Sequence, residues 1–201
     1  MIHRFFRRGF AEATDLVRGV APGNAAHADA VGEHLALLST SLHAHHEGED
    51  ERLWGALETR APSCALHVER MKQHHAVMLV QLTALDDALP AWRASGRDPE
   101  DVLAALSGVN TALDTHLGDE ETTIVPVMET TLTQAEVDWF GEHGRRATPK
   151  GKTWASLGMI LDAQPDGGTA FLGELPPPVR LLWKLIGSRN YARYRARLVG
   201  A

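Results

Sequence analysis

Cysteine is almost missing from this chain of 201 residues: Cys64 is the only one. No intrachain disulfide and no thiolate metal cluster can form, and a reducing, cytoplasmic setting is the default expectation. Long apolar runs are missing too. The most apolar stretches, around Val31–Leu42 and Val179–Ile186, fall far short of the ~20 residues a membrane span needs. The opening Met1-Ile-His-Arg-Phe-Phe-Arg-Arg has charges but no apolar run behind them, so no secretory signal is expected. Strand-type alternation is nearly absent, which leaves helices to build the core. Nor is there an excess of positive charge: the net value is −6, which gives the chain as a whole no reason to bind nucleic acid. What remains is ordinary for a globular chain, 44% hydrophobic and 23% charged, of a length that suits one domain with or without an appendage. Histidine departs from this background. There are 11, and ten lie within the first 116 residues.

The punctuation predicts helices. A first segment runs from Ile2 to Val20 and stops at Ala21-Pro-Gly-Asn24. Asn24 is a plausible N-cap for a second segment reaching Thr59. Ser63 is placed to cap a third, ending at Ala88 before Pro90. Asp98-Pro99-Glu100 is a start signal for a fourth, reaching Thr130. Four long segments with short connections predict an all-α, up-down-up-down four-helix bundle over residues 1–130. Shorter pieces follow: Thr133–Gly141 opened by the capping box Thr133-Gln-Ala-Glu136, Thr153–Asp162, Val179–Ile186, and Ser188–Leu198. Residues 131–201 are therefore expected to form a C-terminal helical appendage.

The chemistry lies in an echo between the second and fourth segments. His45-His-Glu-Gly-Glu-Asp50 and His116-Leu-Gly-Asp-Glu-Glu121 each set a histidine and a glutamate four apart, on one helix face. Tracing the apolar stripe shows where that face points. It runs Val31, Leu35, Leu38, Leu42, His45, Glu49, Leu53, Leu57 in the second segment and Val109, Leu113, His116, Glu120, Ile124, Val127 in the fourth. The first segment's stripe carries His3 ahead of Phe6 and Phe10, and the third carries His75 between Met71 and Met78. Six groups thus face inward: His3, His45, Glu49, His75, His116 and Glu120. A lone inward histidine is usually a hydrogen-bonded core residue, and a lone His-x-x-x-Glu is common on exposed helices. Together the six demand more, because burying an unpaired carboxylate costs several kcal/mol and no Lys or Arg shares these stripes. A bound metal offsets that cost. Imidazole and carboxylate together suit iron or another transition metal, six ligands exceed one tetrahedral zinc, and two carboxylates able to bridge favour a pair of ions. The Glu-x-x-His of ferritin-like bundles and the His-Glu-x-x-His of zinc proteases are both absent.

The segments His43-Ala-His-His-Glu-Gly-Glu-Asp-Glu-Arg-Leu-Trp54 and His116-Leu-Gly-Asp-Glu-Glu-Thr-Thr-Ile-Val-Pro126 resemble the two signature repeats of the hemerythrin-like, HHE cation-binding family, over roughly residues 1–130. The resemblance implies a four-helix bundle around two iron ions with carboxylate bridges and an oxo or hydroxo bridge. It implies members that bind dioxygen, sense oxygen or redox state, or handle iron, nitric oxide or peroxide. Residue by residue, His3, His45, Glu49, His75, His116 and Glu120 match the family's ligands. There is one departure. Oxygen carriers take two histidines, four apart, from the third helix, and here Met71 holds the earlier position. One iron is therefore expected to lack a protein ligand and to hold water or substrate. Oxygen carriers also space the fourth-helix pair one residue wider, which would select Glu121; the stripe prefers Glu120.

The expectation is a di-iron protein that binds or reacts with dioxygen, peroxide or nitric oxide at an incompletely ligated iron, supplied by an unidentified electron donor if it turns over. The alternative is a non-catalytic carrier, store or sensor. His43, His46 and His74 are expected to flank the site as hydrogen-bond partners or to be solvated, His34 to lie on the surface or near the ligands, and His27 and His143 on the surface. The tail after Glu174 has no acidic residue but carries Arg180, Lys184, Arg189, Arg193, Arg195 and Arg197; with these six cations set aside from the net −6, residues 1–174 carry −12. Docking on its own acidic bundle is the favoured expectation for this tail, and contact with a membrane surface is the other.

Overall fold

The computed structural model describes residues 2–200, and among them every regular element is helical. Helix α1 (Ile2–Arg18) buries Phe5, Phe6, Phe10, Ala13 and Val17 along one stripe. Asn24 caps α2 (Ala25–Gly48), its side-chain oxygen accepting the His27 N–H at 3.1 Å. Beyond Gly48 the helix widens into a π-helical turn, Glu49–Leu53, and resumes as α3 (Trp54–Arg60).

Ser63 does not cap the third segment. It lies in a 3₁₀ turn, Pro62–Cys64, that feeds directly into α4 (Ala65–Ser95). Nor does Pro90 end that helix, which runs on to Gly96 in the left-handed conformation at φ 62°. Proline inside a helix costs roughly 3 kcal/mol. Leu85, Leu89 and Trp92 continue the buried stripe across it, each worth about 1.5–3 kcal/mol when fully buried, so the stripe wins.

Asp98 is not an N-cap either. It takes a positive φ of 52° in the connection, a conformation Asp tolerates, and α5 (Glu100–Thr123) starts after Pro99. The fourth segment breaks at Ile124 and restarts as α6 (Val125–Thr131), where Pro126 lacks the N–H that an unbroken helix needs.

The appendage follows. Helix α7 (Gln134–Ala147) has the predicted capping box but runs past Gly141. Helix α8 (Thr153–Asp162) has the predicted bounds. Helix α9 (Thr169–Glu174), not foreseen, starts where the Asp166 carboxylate accepts the Ala170 N–H at 2.7 Å. Helix α10 (Pro177–Leu182) passes through a second π-helical turn, Trp183–Gly187, into α11 (Ser188–Leu198) without a cap at Ser188.

Helices α1, α2, α4 and α5 form the four-helix bundle, with α2 also covered by α7 and α11. Its apolar core comes in two parts. The larger contains Phe6, Leu42, Met78, Leu113 and Leu117; the smaller contains Leu53, Trp54, Leu57, Val68, Met71 and Ile124. On α2, α4 and α5 alike, the inward histidines and glutamates fall between the residues of these two clusters. A polar layer is thus sandwiched in the core.

The appendage docks through both apolar and polar contacts, with Ala155, Met159 and Tyr191 joining the larger apolar cluster. Arg195 grips Glu12 with two hydrogen bonds of 2.6 and 3.0 Å, His34 Nδ1 meets the Tyr194 hydroxyl at 2.6 Å, and Lys152 pairs with Glu33 at 2.8 Å. Within the appendage Tyr191 donates to Asp162 at 2.6 Å, and His27 of the bundle reaches the Leu198 carbonyl at 2.9 Å.

Candidate metal centre

Four helices aim imidazoles into the polar layer, and two add carboxylates. His3, His45, Glu49 and Glu120 bring one donor atom each to within 4.8 Å of one another, and His46, His75 and His116 form a second such group. All six residues expected from the sequence are among these seven.

The seventh, His46, was expected only to flank the site. It is 7% exposed, and its ring stacks on His75 with centroids 4.2 Å apart. Each helical residue turns about 100° from the last, so His45 and His46 diverge from neighbouring positions. His45 meets Phe6 and His3 of α1, at ring centroids 5.2 and 5.5 Å, while His46 meets His75 and His116 of α4 and α5. Glu49 comes three and four residues on, between these two directions. One of its oxygens lies 3.3 Å from His45 Nε2, the other 3.2 Å from His75 Nε2. Glu120 Oε2 is similarly shared, 3.3 Å from His3 Nε2 and 3.5 Å from His116 Nε2.

On the side of the layer where the third helix offers Met71 in place of a second histidine, His46 of α2 stands with His75 and His116, and Met71 itself is fully buried in the smaller apolar cluster. His67 stays outside, 3.0 Å from Arg70. His74 stands one shell back, its ring centroid 6.0 Å from that of His116. His34, foreseen at the surface or near the ligands, is fully buried under Tyr194. His143, foreseen at the surface, stacks on Trp139 at 4.8 Å. His43 pairs with Asp86 at 3.2 Å.

The outer ring nitrogens are held as well. His3 Nδ1 meets Glu121 at 2.9 Å, and Arg7 holds that carboxylate at 2.6 Å. His75 Nδ1 meets Asp50 at 2.8 Å, and the Trp54 indole N–H donates to the same Asp50 oxygen at 2.7 Å. A carboxylate accepting from Nδ1–H fixes the tautomer that leaves the Nε2 lone pair facing inward. The geometry thus separates the two adjacent glutamates: Glu120 is 1% exposed and in the cluster, while Glu121 is 41% exposed and orients His3.

Electrostatics give the same division. Burial pushes the Glu49 carboxyl up to about 8 and that of Glu120 up to about 9, the Glu49 charge adding to the latter. Burial pulls the His116 imidazole down to about 3 and those of His45 and His46 well below their ordinary value. Burial also pushes Glu121 up, but the Arg7 and His3 hydrogen bonds outweigh it and hold that carboxylate below its usual range. Without a cation the seven groups are most stable uncharged, because removal from water disfavours the charged form of any buried group that lacks a counter-ion.

Their fit to metal is shown by the atoms left over. The Nε2 atoms of His45, His46, His75 and His116 and the Oε2 atoms of Glu49 and Glu120 are buried without any hydrogen-bond partner. Buried polar atoms are ordinarily satisfied, and here the unsatisfied ones converge. Imidazole nitrogen and carboxylate oxygen are the donors that iron and similar transition metals take. No curated protein and no solved structure matches the chain. The family model described as the hemerythrin HHE cation binding domain matches residues 1–129. With a donor cluster of that composition inside the matched region, the chain belongs to the hemerythrin HHE cation-binding family.

Proposed function

We propose that the protein holds two iron ions and binds a small oxidant or diatomic ligand (dioxygen, peroxide or nitric oxide) at one of them. The observation that carries this is Glu49, whose two oxygens face histidines of different donor groups at 3.3 and 3.2 Å. His46, His75 and His116 would hold one ion, His3 and His45 the other, with Glu49 and Glu120 shared. A pair of irons supplies exchange of one or two electrons with the ligand.

The chain supplies the asymmetry. One half offers three imidazoles and the other two, so the His3–His45 half is the one left with room for an external ligand. Phe6 packs on His45, and Trp54 packs on His75 at ring centroids 5.2 and 5.5 Å. These walls keep bulk water from the donors and limit access to small molecules. Glu121 and Asp50 accept the Nδ1 protons of His3 and His75, which fixes the tautomer that directs each Nε2 at the metal, while burial opposes a positive charge on either ring.

Loading with ferrous iron under anaerobic conditions, followed by nitric oxide, tests this directly. Spectral change that saturates at one nitric oxide per two irons, and is lost in His45→Ala, supports the assignment. Spectra unchanged by nitric oxide and by peroxide overturn it. Sustained loss of hydrogen peroxide would make the protein an enzyme; reversible binding without turnover would make it a carrier or sensor.

A further inference from the structure

An amphipathic helix docked on a protein ordinarily turns its aliphatic side inward and its charges to water. Along residues 177–187 the arrangement is reversed. Trp183 and Gly187 turn toward the protein. The Trp183 ring packs near Trp154 and Tyr191, at centroid distances of 6.3 and 6.2 Å, and Gly187 lies so close to Trp154 that an added Cβ would stand 2.6 Å from its ring. This aromatic anchor fixes the rotation of the helix and sends Leu181, Leu182, Leu185 and Ile186 outward, each between 45% and 57% exposed. Four large aliphatic residues within six positions form a contiguous apolar patch of a kind that marks an interaction surface.

The charges around the patch say what it would meet. Arg180, Lys184 and Arg189 are exposed beside it, and no acidic residue occurs after Glu174. Among the described residues, the tail's one ion pair is Arg195 with Glu12, so the other five cations are not neutralised by the protein's own carboxylates. The remaining 174 residues carry −12. A surface that is apolar inside and anionic at its face would attract this patch and repel the bundle, which orients the molecule tail-first. No described helix is long and apolar enough to cross a membrane.

We propose that residues 177–189 are a docking site for an anionic phospholipid surface. Leu181, Leu182, Leu185 and Ile186 enter the boundary between headgroups and acyl chains, and Arg180, Lys184 and Arg189 lie on the lipid phosphates. Aliphatic burial and attraction to anionic lipid act together in such helices, and neither alone gives firm binding.

Co-sedimentation of the full chain with phosphatidylcholine vesicles, with and without phosphatidylglycerol, is the test. The expected result is at least about tenfold stronger partitioning onto the anionic vesicles, weakened as salt shortens the screening length from about 10 Å at 0.1 M to about 3 Å at 1 M. Leu181→Asp/Leu185→Asp and Arg180→Glu/Lys184→Glu should each reduce partitioning about tenfold while helicity, melting temperature and metal content stay unchanged, since all four side chains face solvent. Absence of partitioning by the parent chain, or equal partitioning by the variants, overturns the proposal. A parent that forms dimers, ignores vesicles and becomes monomeric on Leu181→Asp/Leu185→Asp would also overturn it and assign the patch to a second copy.

Discussion

Asp50 Oδ1 lies 2.8 Å from His75 Nδ1, which leaves His75 Nε2 facing Glu49 at 3.2 Å. The π-helical turn that begins at Glu49 carries both acidic residues, one in the donor cluster and one behind it. Such turns are often found at functional sites. Asp50→Ala should therefore weaken metal binding by about 10–100-fold, the range seen when outer partners of metal-bound histidines are removed. Competition with a chelator measures it. Glu51→Ala, one residue on and exposed, should leave affinity unchanged.

His46 and Met71 make a paired prediction. His46→Ala should lose the ion at the three-imidazole half and keep the other, whereas His43→Ala should retain both. Met71→His should not add a ligand, because residue 71 lies in the smaller apolar cluster and His46 stands beside His75 and His116 instead. It would instead bury an imidazole among Trp54, Leu57 and Val68, destabilising the fold by about 1–3 kcal/mol. Metal analysis and chemical denaturation distinguish these outcomes. An additional imidazole ligand in Met71→His would contradict the assignment of His46.

Metal removal should expose the raised carboxyls. In the metal-free protein Glu49 and Glu120 stay protonated up to about 8 and 9, while in the unfolded chain they ionise near 4.5. Between those values the folded state binds more protons, so their contribution to stability is full at low pH and lost as pH rises. The lowered histidines act oppositely, losing their contribution as pH falls below 6.5, and so change little above about pH 7. The melting temperature of the metal-free protein should therefore fall from about pH 7 to about pH 9. Glu49→Gln/Glu120→Gln should flatten that fall, and metal should remove it.

The bundle was legible because its stripes are long and regular, and six of the seven clustered donors lie on them. His46 is less legible because the inward face of α2 is wider than a single stripe. A helix packed against neighbours on several sides buries an arc of about 100° or more, and α2 buries Leu37 and Leu38, then His46, across such an arc. The doublet His45-His46 one turn before Glu49 was the available signal. The helix ends were less legible. Pro90 and Ser63 gave correct local preferences that burial of Leu89, Trp92 and Cys64 overrode, and nothing local announces a π-helical turn.

The docking of α11 should be separable from metal binding. Arg195→Ala removes both hydrogen bonds to Glu12 and leaves that carboxylate beside buried His34. Partly exposed charge pairs of this kind contribute about 1–2 kcal/mol. The variant should unfold earlier in urea by that amount and expose the 188–198 segment to proteolysis, with its metal content unchanged.

If Glu49 and Glu120 join two metal sites in one bundle, the iron content per chain depends on both carboxylates. Anaerobically loaded, desalted protein should hold about two irons per chain. Glu49→Ala and Glu120→Ala should each fall below about one, because each removes a donor from both halves, while Glu47→Ala should match the parent and Glu121→Ala should bind more weakly yet still fill. A single ion per chain in the parent, or two in Glu49→Ala, would show that these carboxylates do not join two sites.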